Sequence, residues 1–298
     1  MRTFLKWAAY ILGGIVVLLI IAGVVAFTVS NGKLNATYDV AANAIPIPSD
    51  SASLDRGRHF ITIMGCTECH GEDFGGKILI DAAPFVVLYS PNLTTGEGGA
   101  GNRYDDAGFA RAIRHGIGDD DRSLVIMPSP EYNHLSDADV GAMIAWIRRV
   151  PPVHNLTPEP RFGPIGRFLV ATDQAPGLLV ATAIDHDAPR PPAPPAGPTV
   201  EYGQYLARIC AGCHTQNYAG TSTGGPDGSP PVLNITPAGR LGHWSNDEFR
   251  TALRTGVTPN GYALNAQFMP WPLIGQATDV ELDAMYLYLR SLPPAFPE

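Results

Sequence analysis

The chain has 298 residues, enough for two small domains with additions, and a net charge of −8. That charge excludes nucleic acid as the natural partner and suits a basic protein surface instead. Only 16% of residues are charged, while 32 glycines and 28 prolines mark much of the chain as loop.

The first predicted element is apolar. No charge falls between Trp7 and Gly32, and about 20 helical residues suffice to cross the ~30 Å hydrocarbon core of a bilayer. Arg2 and Lys6 precede the run, so the positive-inside rule keeps the N-terminus in the cytoplasm and exports the remainder. A cleaved signal peptide is the competing reading, with an apolar region of about 7–15 residues. This run is longer, and its best small-x-small site, Val24-Val25-Ala26, lies inside it. The expectation is an uncleaved single-pass anchor over 1–32, with the N-terminus cytoplasmic and the rest of the chain exported.

A helix is predicted from near Leu54, carrying "GCTECHG" (65–71) at its end, followed by a Gly/Pro-rich loop. A short helix over Asp105–His115 has Asp106 in its first turn, where an acid complements the helix dipole. The next helix, 136–149, opens on the capping-box pattern "SDAD" and repeats its apolar residues at a 3.6-residue period. The stretch 151–199 holds 12 prolines, and "RPPAPPAGP" at 190–198 reads as an extended spacer. The part before it is apolar enough to pack along a domain, while Arg167, Asp173 and Pro176 rule out a second span. The helical pattern then returns, from near Tyr202 through "CAGCHTQ" (210–216), over Asn246–Thr255 and over 278–291, which opens on "TDVE". No strand pattern of any length is visible.

All four cysteines fall in two copies of one pattern, Cys66-x-x-Cys69-His70 and Cys210-x-x-Cys213-His214. A bare Cys-x-x-Cys serves a redox disulfide, half a zinc site or haem attachment, and the following His separates these. In c-type haem two thioether bonds join the sulfurs to the porphyrin vinyl groups. The next residue, His, becomes an axial iron ligand. A thioredoxin-like motif has no need of that His, and a zinc site needs further ligands nearby. Two covalent haem c groups are therefore expected, and an exported chain is where haem c is attached.

The two motifs belong to a longer internal repeat. Asn92-Leu93-Thr94 matches Asn234-Ile235-Thr236, Tyr104 matches Trp244, Phe109 matches Phe249 and Arg114 matches Arg254. Met127-Pro128 matches Met269-Pro270, each lying 24 residues before a Pro-Pro pair. Met thioether is soft, suits ferrous iron and raises the reduction potential. Met127 and Met269, at matching positions and each before Pro, are the expected sixth ligands opposite His70 and His214. Met64 stands on the attachment side, and Met143 and Met285 sit at helical core spacing. His115 faces Thr255 and His134 faces Gln276 in the sister copy, so neither is expected on iron. Arg103 and His243 are candidates for haem propionates or plain surface residues.

On both Cys-x-x-Cys-His motifs, "PNLT" (91–94), "WSNDEFRTALRTGV" (244–257), "MPW" (269–271) and "YLRSLPP" (288–294), the chain resembles membrane-anchored dihaem cytochromes c of bacteria. It is similar to the cytochrome c subunits of periplasmic alcohol, aldehyde and nicotinate dehydrogenases, many of which carry three haem motifs where this chain has two. The resemblance implies a mainly α fold: an anchor at 1–32, cytochrome c-type domains at 50–152 and 200–298, and a Pro-rich linker at 153–199. It implies a relay of electrons between a periplasmic or membrane donor and an acceptor in a respiratory or photosynthetic chain. The redox partner would be a dehydrogenase, a quinol-oxidising complex, a reaction centre or a terminal oxidase. No catalytic residue is assigned on this reading. The alternative is a dihaem peroxidase or other dihaem oxidoreductase, which needs one iron open to substrate and acid–base groups over it.

Overall fold

A computed structural model describes residues 1–225 and 229–297. The chain starts with α1 (Arg2–Leu34), a helix whose apolar surface is almost wholly exposed. Its 33 residues extend about 50 Å at the usual rise.

The first repeat follows. It holds α2 (Ser51–Ile63), α3 (Cys66–His70), the strands β1 (Lys77–Ala82) and β2 (Val86–Ser90), α4 (Asp106–His115), α5 (Ser129–Tyr132) and α6 (Asp137–Ile147). The connecting segment contributes β3 (Arg161–Phe162) and α7 (Pro164–Ala171). The second repeat holds α8 (Val200–Ala207), α9 (Ala211–His214), α10 (Asn246–Thr255), α11 (Trp271–Ile274) and α12 (Asp279–Ser291).

Two expectations about where helix and loop fall need correction. The stretch after His70 is not all loop: β1 and β2 form an antiparallel hairpin, and β3 pairs on the far edge of β2. Ile78, Ile80, Val86 and Val87 supply β-branched residues on either side of the Ala83-Pro84 turn, a signal outweighed by the surrounding glycines. The haem-motif helix is also not continuous in the first repeat. Gly65 adopts φ 75°, which ends α2 and lets α3 start anew at Cys66. In the second repeat α8 passes through a 3₁₀ turn, Arg208–Cys210, into α9.

Each repeat is built on a crossed helix pair, α2 on α6 and α8 on α12. The pairs close to backbone contact at a glycine. A Cβ on Gly57 would stand 2.0 Å from the carbonyl oxygen of Ala142, and one on Gly203 1.9 Å from that of Ala284. Phe60, Val140 and Ile144 from the first pair and Tyr202, Leu206 and Leu282 from the second are at most 1% exposed, in one shared core. Caps set the helix ends. Ser245 with Glu248 and Thr278 with Glu281 form complete capping boxes, and Gly116 and Gly256 end α4 and α10 in the left-handed conformation.

The "SDAD" of α6 is only half a box. Ser136 accepts from the Asp139 N–H, but the Asp139 carboxylate does not return to the Ser136 backbone. It lies 1% exposed and accepts instead from Arg56 of its own repeat and from the Tyr205 hydroxyl of the other. Glu281, 5% exposed, mirrors it, accepting from Tyr202 of its own repeat (3.3 Å) and from His59 of the other (2.8 Å). His134 adds a third crossing bond, to the Tyr205 carbonyl at 2.8 Å. Two buried carboxylates thus join the repeats through a nearly two-fold exchange of partners, each charge compensated by hydrogen bonds.

Candidate functional site

The two candidate sites are assembled from the same parts. In the first, α3 is one helical turn that carries Cys66, Cys69 and His70 in succession. His70 is buried, and its Nδ1 lies 2.9 Å from the Pro91 carbonyl oxygen. In the second, His214 is buried at the end of α9, with Nδ1 2.7 Å from the Leu233 carbonyl oxygen. A carbonyl can only accept, so Nδ1 carries the proton in both and Nε2 keeps its lone pair. Burial pushes both imidazoles below their usual pKa range and favours the neutral form a metal ligand requires.

The carbonyl that fixes each His is placed by the residues that follow it. Asn92 and Asn234 turn the chain, each accepting from the N–H and hydroxyl of the Thr two residues on. Their side-chain amides donate to the carbonyls of Val153 and Ala295, both 2.7 Å away. The matched "NLT" and "NIT" are therefore structural, locking the loop whose preceding carbonyl orients the histidine. Fixing a ligating imidazole through its second nitrogen is a common device in metal sites.

None of the four cysteines is paired in a disulfide. Among the described residues no group of three or more His, Cys, Asp and Glu side chains could hold a metal ion. The donor set suits haem c: two cysteines on one turn, then a histidine with a free Nε2.

Met127 and Met269 each precede a short helix, α5 or α11, and are half-buried against the shared core with Cys66 and Cys210. The backbone N–H two residues on returns to the Met carbonyl at 2.7 Å in both, so the two Met-Pro turns are alike. Met143 and Met285 are core, 1% and 4% exposed. His115 is taken up by His186, Nδ1 to Nδ1 at 2.9 Å, and by Arg190. His134 is taken up by Tyr205. Arg103 pairs with Asp119 at 2.8 Å, and His243 is exposed.

One pair of supporting residues is not visible in the repeat alignment. Trp271, after Met269-Pro270, donates from its indole Nε1 to the Leu264 carbonyl at 3.2 Å. Its ring fills the space over Gly256, 2.4 Å from where a Cβ would stand. The first repeat has Ser129 there. The connecting segment supplies the missing part: the Val180 N–H donates to the Leu124 carbonyl at 3.2 Å, and Val180 Cγ2 covers Gly116 at 2.4 Å from the same virtual atom. The Trp-for-Ser mismatch after Met-Pro is the only sequence signal for this.

These features, two tandem mainly helical domains with a Cys-x-x-Cys-His turn and a Met-Pro turn in each, define a cytochrome c. The cytochrome c family profile matches residues 54–151 and 200–293. The chain belongs to the cytochrome c family. Among curated proteins it is 29% identical over 283 residues to the cytochrome c subunit of the quinone-dependent alcohol dehydrogenase of Gluconacetobacter polyoxogenes, covering 84% of this chain and 58% of that subunit. It is 26% identical over 275 residues to the cytochrome subunit of fructose dehydrogenase from Gluconobacter japonicus, covering 83% and 54%. It is 26% identical over 275 residues to the cytochrome c subunit of gluconate 2-dehydrogenase from Pantoea cypripedii, covering 82% and 60%. The chain thus spans little more than half the length of the dehydrogenase cytochrome subunits it matches. Family membership implies covalently bound haem c.

Proposed function

We propose that the protein is a membrane-anchored dihaem cytochrome c that relays electrons from a dehydrogenase to an acceptor at the periplasmic face of the inner membrane. Cys66 and Cys69 would hold one haem, with His70 and Met127 as donors to its iron, and Cys210 and Cys213 would hold the other, with His214 and Met269. When bound, each haem supplies a one-electron Fe(III)/Fe(II) couple.

The chain's own residues hold that couple in place. The Pro91 and Leu233 carbonyls fix the tautomer of each histidine. The Met-Pro turns present a thioether, which favours the reduced metal. The buried Asp139 and Glu281 networks join the two repeats and so hold the two sites next to one another.

The observation that carries the reading is the sameness of the two sites. Each histidine has the same carbonyl contact and each methionine the same turn, which supports a relay between two like centres over an enzyme with one centre set apart. The dehydrogenase partner rests on the relatives, which are cytochrome subunits of dehydrogenases. The anchor rests on the apolar helix Arg2–Leu34.

Intact mass after denaturation tests the cofactor count. The expected mass exceeds the polypeptide by two haem groups, and a bare-chain mass refutes the reading. Purification from native membranes should bring down a dehydrogenase subunit with the haem-stained band. A preparation with no accompanying dehydrogenase refutes the partner while leaving the relay standing.

A further inference from the structure

The helix α7 does not pack on either haem domain's core but alongside α1. Lys33 donates to the carbonyls of Val170 and Ala171, both at 3.2 Å, and to Asp173 at 2.7 Å, closing the C-terminal end of α7. Arg167 donates to Ser30 Oγ at 3.3 Å and stacks over the Phe27 ring at 4.4 Å. Ser30 is fully buried, in a helix otherwise largely exposed. As α7 is followed back from Ala171 towards Pro164, its partners on α1 descend from Lys33 to Phe27. The N-terminal end of α7 therefore points down the anchor, towards the apolar run.

The β1–β2 turn is sealed on that end. The Gly163 N–H donates to the Phe85 carbonyl at 2.9 Å. A Cβ on Gly166 would stand 2.3 Å from the same oxygen, so only glycine permits the contact. Counted from Trp7, about 20 helical residues use up the ~30 Å hydrocarbon thickness near Phe27, the level that Arg167 touches. At that level stand three exposed apolar side chains: Phe85 at 45%, Ile165 at 46% and Phe168 at 52%. The turn from Ala82 to Leu88 carries no charge. Helix α7 has an inward side, with Gly166 and Val170 buried, and an apolar outward side, as an interfacial helix has.

We propose that α7 and the β1–β2 turn form a second membrane contact, with Phe85, Ile165 and Phe168 lying in the headgroup–acyl boundary beside the emerging anchor. This rests on reading α1 as a membrane span. A single helix leaves a domain free to swivel. A second contact, joined to it through Lys33 and Arg167, fixes which face of the first haem domain meets the bilayer and which meets a partner. The occupant is lipid rather than protein, because the patch continues the exposed surface of α1 at the depth where hydrocarbon ends.

The test uses the full-length holoprotein in nanodiscs, and separately in native membranes, each containing a diazirine lipid with its photoreactive group in the upper acyl chain. Adducts are mapped by peptide mass spectrometry. Expected are adducts in 82–88 and in 164–169 besides those in α1. A Phe85→Ser, Ile165→Ser, Phe168→Ser variant should lower labelling of both segments by about 5-fold, with α1 labelling and haem absorbance unchanged. Labelled α1 with both segments unlabelled, or a variant that labels like the wild type, overturns the contact and leaves the span intact. An unlabelled α1 removes the span and the contact together. Labelling in nanodiscs with protection in native membranes assigns the patch to a protein subunit and overturns the lipid assignment.

Discussion

The two Met-bearing edges, equivalent in the repeat, are finished by different means. In the second repeat the edge is self-contained: Trp271 roofs Gly256 and holds the Leu264 carbonyl. In the first, the roof is borrowed, with Val180 in the place of the indole and the Ile126 N–H bonded to the Leu178 carbonyl at 3.1 Å. The stretch after the anchor adds a further cover, where the Tyr38 N–H reaches the Asp121 carbonyl at 2.9 Å. The second edge has no such cover among the described residues. From Thr255 to Thr278 it carries no charge, and Val257, Tyr262 and Phe268 are exposed. A repeat therefore preserves a hydrogen bond and a filled volume rather than a residue, and whatever supplies them also decides how open the edge is.

The largest expected effect breaks the sameness of the sites. On the proposed ligation, Met127→Ala and Met269→Ala should each remove about half of the near-infrared sulfur-to-iron band and lower one of the two potentials, since each would lose the thioether that favours ferrous iron. Potentiometric titration of both variants checks this. A band unchanged by Met269→Ala would assign another ligand to the second site.

Next comes the roof itself. Trp271→Ala should destabilise the second domain by roughly 3 kcal/mol and weaken the sulfur band of that site alone, because a large ring is lost with its hydrogen bond. Val180→Ala should cost the first domain roughly 1–2 kcal/mol, since only two methyl groups are removed and the backbone bond stays. Denaturant titrations followed at the haem absorbance separate the two. Equal effects on both sites from either variant would mean the edges are coupled rather than separately finished. The helix crossings should respond alike, with Gly57→Ala and Gly203→Ala each lowering stability by about 1–3 kcal/mol through overpacking.

Acid should act on the junction between the repeats. Burial depresses the pKa of His134 to about 4, while in the unfolded chain it protonates near 6.5. The unfolded state then binds the extra proton, so stability falls as pH drops from about 6.5 and levels off below about 4, by roughly 1–3 kcal/mol. Burial depresses His115 to about 4 as well, adding a loss of the same sign where the connecting segment meets the first domain. Glu281 works further down: burial raises its pKa, but the bonds from His59 and the Thr278 N–H outweigh this and lower it, so its contribution persists above about 4.5 and is lost beneath. Thermal melts from pH 8 to 4 should show the decline, and His134→Gln should flatten its first part. The smallest effect is expected at the open edge, where Phe268→Ser should change stability by less than about 0.5 kcal/mol.

The sequence by itself determined the Cys-x-x-Cys-His motifs, the repeat, the helices and the long apolar run at the N-terminus. Each rests on short-range chemistry: a five-residue spacing, a cap three residues from its helix, an uninterrupted apolar run. It also marked Asn92-Leu93-Thr94 and Asn234-Ile235-Thr236 as matched, but not why. Their role, presenting the Pro91 and Leu233 carbonyls to the histidines, joins residues some twenty positions apart. The hairpin of β1 and β2 was hidden because strand pairing is a contact between segments, each too short to announce itself among glycines. Asp139 read as a capping residue because a carboxylate at that position ordinarily turns to its own helix. Arg56 from α2 and Tyr205 from the other repeat draw it away, and only the folded chain brings either to it. Val180 carries no motif at all. It contributes a volume and one N–H to a site more than fifty residues away, and only the folded chain decides which segment delivers them.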